Sequence, residues 1–302
     1  MTTGRPVGAV LSNPGSDRVR AVRRLTGRSA RLRERRFVAE GPQAVTEAVD
    51  ATLAAVAAPR SPVVLELYAT ADAAARFPDV LEAARGAGVP LRIATEQVLA
   101  AMSDTVTPQG LLAVCALVDV PLPAVVAARP ALVAVLAHVR DPGNAGTVVR
   151  AADAAGAGGV VLTDASVDVH NPKCVRASAG SIFHLPVATG VPLARAVQAL
   201  RAAGLTVLAA DVAGTADLDD LQDAAGHGEG PLDGPVAWVF GNEAWGLPDD
   251  ALAAADAVVR VPVYGRAESL NLATAATVCL YASARAHRRS LRSPQREGET
   301  PR

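Results

Sequence analysis

The feature that most limits the fold is an alternation of apolar runs with helical stretches in the second half of the chain. Five apolar runs have the composition of buried strands: ALVAVLAHV (131–139), GGVVLTD (158–164), GLTVLAAD (204–211), PVAWVFG (235–241) and AVVRVPV (257–263). The helical stretches include AGTVVRAADAAGA (145–157) and PLARAVQALRAAG (192–204). Such alternation predicts an α/β fold with a parallel sheet covered on both faces. Ligands of these folds bind beyond the carboxyl ends of the strands.

The chain has 302 residues, enough for two domains of about 100 to 150 residues each. Pro121, Pro123 and Pro130 oppose regular structure and mark the best candidate for a linker. Short strands and helices before them predict a small α/β domain. We expect this domain over residues 1–120, a linker over 121–130, the parallel-sheet domain over 131–290 and a disordered tail over 291–302.

The composition indicates a cytoplasmic protein with neither disulfides nor a metal site. No uninterrupted apolar run approaches the roughly 20 residues of a membrane-spanning helix, and the sequence MTTGRPVGAV lacks the apolar core of a signal peptide. Cys115, Cys174 and Cys279 lie far apart among apolar residues, which favours reduced core thiols. His170 and His184 have neither a third ligand nor helical spacing, so we predict no metal.

Positive charge is concentrated at the amino-terminal end. The net charge is −1, but residues 1–36 contain ten arginines and two acidic residues, an excess of eight positive charges. This excess favours binding of a nucleic acid over a merely solvated helix face. Helical spacing is shown by Val19, Val22, Leu25 and Leu32. The predicted nucleic-acid contacts are Arg18, Arg20, Arg23, Arg24, Arg28, Arg31, Arg35 and Arg36, with Lys173 and Arg176 in the later segment NPKCVRAS.

The first of three strand-to-helix loops suits an anionic group. The turn DPGNAG (141–146) exposes the amides at the start of a helix, and Arg150 follows within two turns. An ordinary turn with a surface arginine is the alternative. A dinucleotide fold is disfavoured, because Gly143 and Gly146 form only GxxG instead of GxGxxG.

The second and third loops also place polar groups after strands. Gly241 permits close backbone approach by a ligand, and Glu243 offers a carboxylate, unless Glu243 only caps a helix. Ser269 is the predicted N-cap of a long apolar helix, which leaves Asn271 for another role. Taken singly, each loop is ambiguous.

Four segments, taken together and in order, resemble the signature motifs of SpoU/TrmH-type RNA methyltransferases of the SPOUT superfamily. They are DPGNAGTVVRAADAAGA, NPKCVRASAGSIFHLPV, FGNEAWGLP and VPVYGRAESLNLATAA, within residues 134–284. The amino-terminal part, including SDTVTPQGLLAVC, resembles more loosely the substrate-binding domain that often precedes this catalytic domain. The resemblance implies a deep trefoil knot in the parallel-sheet domain, an exception to unthreaded connections.

The resemblance also implies an enzyme that transfers a methyl group from S-adenosylmethionine to a ribose 2'-hydroxyl of RNA. Family members are homodimers that pack through the knotted domain, so a site can use Arg150 of the partner subunit. The implied catalytic residues are Asn144, Arg150, Glu243, Ser269 and Asn271. The implied cofactor-binding residues are Gly241, Val261 and Leu270, with Leu208, Ala209 and Asn242 nearby. Trp245 departs from the smaller or basic residue that is common in the family.

Two other functions stay open at this point. One is a noncatalytic RNA-binding protein of the same fold, and the other is a methyltransferase that modifies a base nitrogen of RNA. A separate basic domain favours a large folded target, so we expect ribosomal RNA more than transfer RNA.

Overall fold

The computed structural model describes residues 10–242 and 246–292, which form two compact units. The first unit contains the chain up to Asp119 together with Asp168–His184, and the second contains Val120–Val167 and the chain from Leu185 onward. The sequence predicts one uninterrupted domain over 131–290, whereas the structure groups Asp168–His184 with the first unit. Most of the predicted tail over 291–302 lies outside the described residues.

The first unit is a small α/β unit, as predicted. Its mixed sheet has the order β1-β4-β2-β3, in which β4 pairs antiparallel with β1 and β2, and β2 pairs parallel with β3. With elements numbered along the whole chain, its strands are β1 (Arg36–Glu40), β2 (Val64–Ala69), β3 (Leu91–Ile93) and β4 (Leu111–Ala116). Its helices are α1 (Asp17–Arg24), α2 (Arg28–Glu34), α3 (Pro42–Ala57), α4 (Ala71–Arg76), α5 (Pro78–Gly86), α6 (Glu96–Met102) and α9 (Pro172–Ser178).

The arginine-rich end forms two short helices because its apolar residues have helical spacing. The Ser16 hydroxyl caps α1 by accepting a hydrogen bond from the backbone amide of Val19, and the apolar side of α1 packs on α6. Leu32 was expected on the same buried side but is 53% exposed. The reason is that α2 buries Ala30 and Arg31 instead.

Arg31 joins the segment Asp168–His184 to the rest of the first unit. Its side chain is 2% exposed, and its Nε and Nη2 donate to Oδ2 of Asp168 at 2.9 and 2.7 Å. Its Nη1 donates to the carbonyl oxygens of Leu25 and Thr26 at 2.9 and 2.7 Å. All three nitrogens therefore bond inside the unit, and the prediction that Arg31 contacts RNA is wrong.

The same segment is held by polar and aromatic contacts around Asp168. Burial alone would raise the pKa of Asp168, but hydrogen bonds from His170 and Arg31 and the charge of Arg31 hold the pKa well below its ordinary value. The His170 ring packs on Phe37 with centroids 4.7 Å apart, and Phe183 stacks on Phe37 at 6.0 Å. A buried ion pair and an aromatic cluster thus fix the segment.

The second unit is built on the predicted parallel sheet. All of its strand pairs are parallel, in the order β7-β6-β5-β10-β8-β11-β9. The strands are β5 (Leu132–Leu136), β6 (Gly159–Thr163), β7 (Val187–Val191), β8 (Thr206–Ala210), β9 (Ala216–Asp217), β10 (Val236–Phe240) and β11 (Ala257–Arg260). The five inner strands match the five apolar runs, and the two edge strands, β7 and β9, are additional. The trefoil knot stays a prediction.

Helices cover this sheet, and one of them lies inside the predicted linker over 121–130. Pro121 precedes the first turn of that helix and Pro123 lies within it, where a missing amide hydrogen costs no helical hydrogen bond, so these prolines do not prevent regular structure. The helices are α7 (Leu122–Ala127), α8 (Pro142–Ala154), α10 (Leu193–Ala202), α11 (Leu218–Gly226), α12 (Asp249–Ala254) and α13 (Leu272–Arg292).

The centre of the second unit is β10, whose five residues are all buried. Trp238 is fully buried, and its Nε1 donates a hydrogen bond to Oγ of Ser283 on α13 at 2.9 Å. The one polar atom of the buried indole ring therefore has a hydrogen-bond partner. The three cysteines of the chain are free and buried, as predicted, and burial raises the pKa of Cys115 and Cys279. Within the described residues, no helix combines the length and apolarity needed to cross a membrane.

Replacing Arg31 with alanine is expected to lower the free energy of unfolding by about 3 to 5 kcal/mol, because Asp168 loses its buried partner. Urea denaturation at neutral pH measures this loss. Arg28→Ala is the matched control, because Arg28 is exposed on the same helix, and its effect should stay within about 0.5 kcal/mol. Equal effects of the two substitutions would contradict the structural role of Arg31.

The ion pair between Arg31 and Asp168 makes the free energy of unfolding depend on pH. The lowered pKa of Asp168 adds stability above the ordinary carboxyl pKa, about 3.9, and this stability is lost as the pH falls towards the lower native value. The stability difference between the unsubstituted protein and Arg31→Ala should therefore shrink as the pH falls below about 4.

Candidate functional site

A cavity of about 470 Å³ opens at the carboxyl edge of the parallel sheet. Residues that follow β8, β10 and β11, together with the start of α13, form most of its wall. The lining residues are Ala210, Asp211, Val212, Phe240, Gly241, Asn242, Gly246, Leu247, Leu252, Val261, Val263, Ser269, Leu270, Leu272 and Ala275. Four predicted cofactor-binding residues, Gly241, Asn242, Val261 and Leu270, and the predicted catalytic residue Ser269 therefore share one cavity.

Two other predicted cofactor-binding residues do not line this cavity. Leu208 and Ala209 are fully buried within β8, where their side chains belong to the core of the second unit. Both residues lie inside the strand, which ends at Ala210. Ala210 and Asp211 take the expected place in the wall.

The backbone at Gly241 lies too close to the following loop for any side chain. A Cβ atom at Gly241 would lie 2.5 Å from the carbonyl carbon and oxygen of Gly246. Asn242 and Gly246 are joined by two backbone hydrogen bonds of 3.0 and 2.8 Å, which close a short loop. Residues 243–245 lie outside the described residues, and so do the predictions made for Glu243 and Trp245.

Asp211 is a site residue that the sequence reasoning missed. Its Oδ1 accepts a hydrogen bond from the amide of Ala213 at 2.9 Å, and its Oδ2 accepts from the amide of Leu247 at 3.4 Å. It is the one charged side chain among the lining residues that the structure describes. Its position directly after an apolar strand, like that of Gly241, is the sequence signal that could have identified it.

The first and third loops meet through a hydrogen bond between side chains. Asn271 Nδ2 donates to Oδ1 of Asn144 at 3.2 Å, although 127 positions separate these residues in sequence. Asn144 lies in the first turn of α8, and its backbone amide donates to the capping carboxylate of Asp141 at 2.8 Å. Since Leu270 and Leu272 line the cavity, the Asn144–Asn271 pair stands at its margin.

Asn271 also caps α13, a role that the sequence assigned to Ser269. Its Oδ1 accepts hydrogen bonds from the backbone amides of Ala273 at 2.9 Å and Thr274 at 3.4 Å. The prediction for Ser269 is wrong because the helix begins at Leu272, three residues after Ser269. Ser269 is instead exposed in the wall of the cavity.

Arg150 does not lie in the wall of this cavity. It is exposed on α8, six residues after Asn144, a spacing that places the two side chains on different faces of the helix. The structure therefore brings Asn144, Ser269 and Asn271 to one place and leaves Arg150 of the same chain elsewhere on the surface.

The basic residues predicted to contact RNA fall into three groups. Arg31 is buried in its ion pair with Asp168. Arg24, Arg28, Arg35, Arg36 and Lys173 are exposed, and within the described part of the chain the four arginines form no ion pair. The remaining arginines form ion pairs: Arg18 with Glu66, Arg20 with Asp17, Arg23 with Asp104, and Arg176 with Glu40 and Asp104.

Comparison with known proteins identifies the family. The sequence profile of the SpoU rRNA methylase family matches residues 131–281, and that of the MRM3-like substrate binding domain matches residues 16–113. The 23S rRNA (guanosine(2553)-2'-O)-methyltransferase RlmP of Bacillus subtilis is 34% identical over 271 residues, which are 90% of this chain and 97% of that protein. The chain belongs to the SpoU rRNA methylase family. The solved structures of its relatives support the predicted α/β fold, in which a small domain precedes a parallel-sheet domain.

Solved structures of SpoU relatives share this architecture. An rRNA methyltransferase from Sinorhizobium meliloti with S-adenosylmethionine bound has 29% identity and a TM-score of 0.74, over 92% of this chain and 97% of that chain. The SpoU methyltransferase AviRb from Streptomyces viridochromogenes, also with S-adenosylmethionine bound, has 27% identity and a TM-score of 0.72. The match covers 89% of this chain and 97% of that chain. S-adenosylmethionine is therefore the cofactor of this SpoU family member, as predicted.

The cavity fits this cofactor. Its volume of about 470 Å³ lies within the range of about 300 to 1,000 Å³ that small-molecule sites have. The bare backbone of Gly241 lets the Gly246 loop lie against it and so shapes the wall, and the Asp211 carboxylate suits the positively charged groups of the cofactor.

Gly241→Ala is expected to lower the affinity for S-adenosylmethionine by about tenfold or more, because the added methyl group pushes the Gly246 loop away. Isothermal titration calorimetry measures this affinity. Gly234→Ala is the matched control in the same unit, because a Cβ atom there meets no atom within 4 Å. If both variants bind the cofactor as the unsubstituted protein does, the cavity is not the cofactor site.

Proposed function

We propose that this SpoU family member transfers a methyl group from S-adenosylmethionine to a ribose 2'-hydroxyl of ribosomal RNA. The hydrogen bond between Asn144 and Asn271 carries the proposal, because it joins two motif loops beside the cavity that Gly241 borders. The choice of ribosomal RNA is supported by relatives that are named 23S rRNA 2'-O-methyltransferases. Such a substrate also supports the predicted cytoplasmic location.

The chain's task in this reaction is mainly alignment. When bound, S-adenosylmethionine supplies a methyl group on a positively charged sulfur, which an oxygen nucleophile attacks in line. Correct alignment of two reactants can lower a barrier by about 7 to 11 kcal/mol. The amide groups of Asn144 and Asn271 and the Ser269 hydroxyl can each hold a ribose hydroxyl, and Asn271 is itself held in place by capping α13.

Arg150 has a different task, which is to bind the phosphate beside the target ribose. Arginine side chains stay protonated in proteins, so Arg150 is not the group that removes the hydroxyl proton. Its charge favours the ionised ribose oxygen, and its paired donors fit a phosphate. It makes the hydroxyl a better nucleophile without accepting its proton, which passes to solvent water as the methyl group is transferred.

The partner subunit of a homodimer supplies Arg150 to each site. Arg150 is exposed on α8 and absent from the wall of its own cavity, which supports this arrangement. The helix α13, which packs on α8, exposes Val278 (39%) and Tyr281 (50%) three residues apart on one face. Exposed apolar residues of this kind suit a subunit interface, so we expect the homodimer to form through these helices.

The reaction is tested by product analysis. Ribosomal RNA from cells that lack this gene is incubated with the full chain and isotopically labelled S-adenosylmethionine, digested to nucleosides and analysed by mass spectrometry. The expected product has the labelled methyl group on a ribose. A label on a base would contradict the ribose assignment, and RNA binding without any label would indicate a noncatalytic protein.

The origin of Arg150 is tested by mixing two inactive variants. Arg150→Ala and Asn144→Ala are expected to have little activity alone, because each lacks a group that every site needs. Mixed with subunit exchange, they should regain about a quarter of the activity, because half of the dimers have one site with both groups. No recovery, with exchange verified by mass spectrometry, would assign Arg150 to its own site.

A further inference from the structure

The first unit contains a second cavity, of about 250 Å³, which the proposed methyl transfer does not use. Its wall combines parts of two segments that the sequence analysis singled out, SDTVTPQG and NPKCVRAS, with the start of α3. The floor is apolar and includes Leu99, Leu111 and Leu112. Polar side chains are also among the lining residues, so the cavity offers an apolar surface and hydrogen-bonding groups to a ligand smaller than a typical cofactor.

The polar groups of the wall suit an uncharged ligand. Gln43 and Gln109 are exposed lining residues whose side-chain amides both donate and accept hydrogen bonds. Gln43 Nε2 already donates to Oε1 of Glu47 at 2.7 Å, so Gln43 offers mainly its amide oxygen to a ligand. Glu40 and Arg176 contribute opposite charges, so the lining has no net charge to attract a phosphate. Glu40 is occupied inside the unit, because it accepts hydrogen bonds from the Ser103 hydroxyl at 2.9 Å and the Asp104 amide at 2.8 Å.

Arg176 leaves one donor for a ligand. Its Nη1 is buried but has no hydrogen-bond partner among the described residues, and the nearest carboxylate oxygen, Oε2 of Glu40, is 3.6 Å away. A buried donor without an acceptor is rare in folded proteins, and a bound group often explains it. The Arg176 side chain is 31% exposed, so a change of its rotamer that turns Nη1 towards the cavity would let a carbonyl oxygen or ring nitrogen of a ligand accept from this atom.

We infer that this cavity binds one unstacked nucleobase of the substrate RNA. Proteins read RNA sequence mainly from such splayed bases, through hydrogen bonds to their edges. Arg176 Nη1 contacts an acceptor on the base, Gln43 and Gln109 contact its edge, and the leucine floor contacts its ring. The inference rests on the proposed function, since it assigns to the first unit a base-reading role in choosing the RNA that is methylated.

The test uses the full chain and fluorescent oligoribonucleotides of about six nucleotides. One probe is entirely abasic, and four others each have one base, A, C, G or U, at the centre of the abasic chain. At least one base should raise the affinity measured by fluorescence anisotropy about tenfold, because it adds two or more hydrogen bonds. The phosphates are the same in all probes, so only the base accounts for the difference.

The double variant Gln43→Ala/Gln109→Ala should remove this gain and leave binding of the abasic probe unchanged. Gln97→Ala is the matched control, because Gln97 is exposed in the same unit but lies outside the cavity, and it should retain the gain. The inference fails if no base raises the affinity or if the double variant keeps the gain.

Calorimetry with S-adenosylmethionine on the same protein separates this failure from that of the proposed function. Cofactor binding and methylation without a base-dependent gain would defeat the base pocket alone. A base-dependent gain that the double variant removes, in a protein that neither binds the cofactor nor methylates RNA, would support the pocket and defeat the methyl transfer.

Discussion

Everything at the candidate site depends on the register of β10 with its two neighbours. Phe240 pairs with Leu136 of β5 on one side and with Ala210 of β8 on the other, so the three strands end at one level. The segments that leave them begin side by side, which is why Asp211 and Gly241 border one cavity. A slip of one residue in β10 would displace Gly241 and turn every buried side chain of the strand to the opposite face.

The inner part of the sheet was predictable because its strands lie in continuous apolar runs, and β5, β6 and β10 have every residue buried. The edge strands were not, because an edge strand is partly open to solvent and needs no continuous apolar run. Strand β7 contains Thr189 and Gly190, neither of which is buried, and β9 has only two residues. The role of Gly241 was also predictable from residue type, because only glycine tolerates backbone as close as that of Gly246.

Roles that depend on a distant partner could not be derived from local sequence. Arg31 lies in the same arginine-rich stretch as several exposed arginines, and its ion pair with Asp168, 137 positions away, is what distinguishes it. Ser269 and Asn271 are both good capping residues, and the start of α13 decides between them. Asp211 has its place in the wall because another strand ends beside it. In each case the tertiary structure selects among roles that the residue types leave open.

The capping of α13 by Asn271 links completion of the candidate site to the folding of one helix. One oxygen of this amide holds the helix start, and the nitrogen of the same amide reaches Asn144. The orientation of the Asn271 amide is thereby set by helix formation, and the hydrogen bond to Asn144 exists only after α13 has folded against α8. A nascent chain that still lacks this helix has neither the Asn144–Asn271 hydrogen bond nor the part of the cavity wall that Leu272 and Ala275 provide.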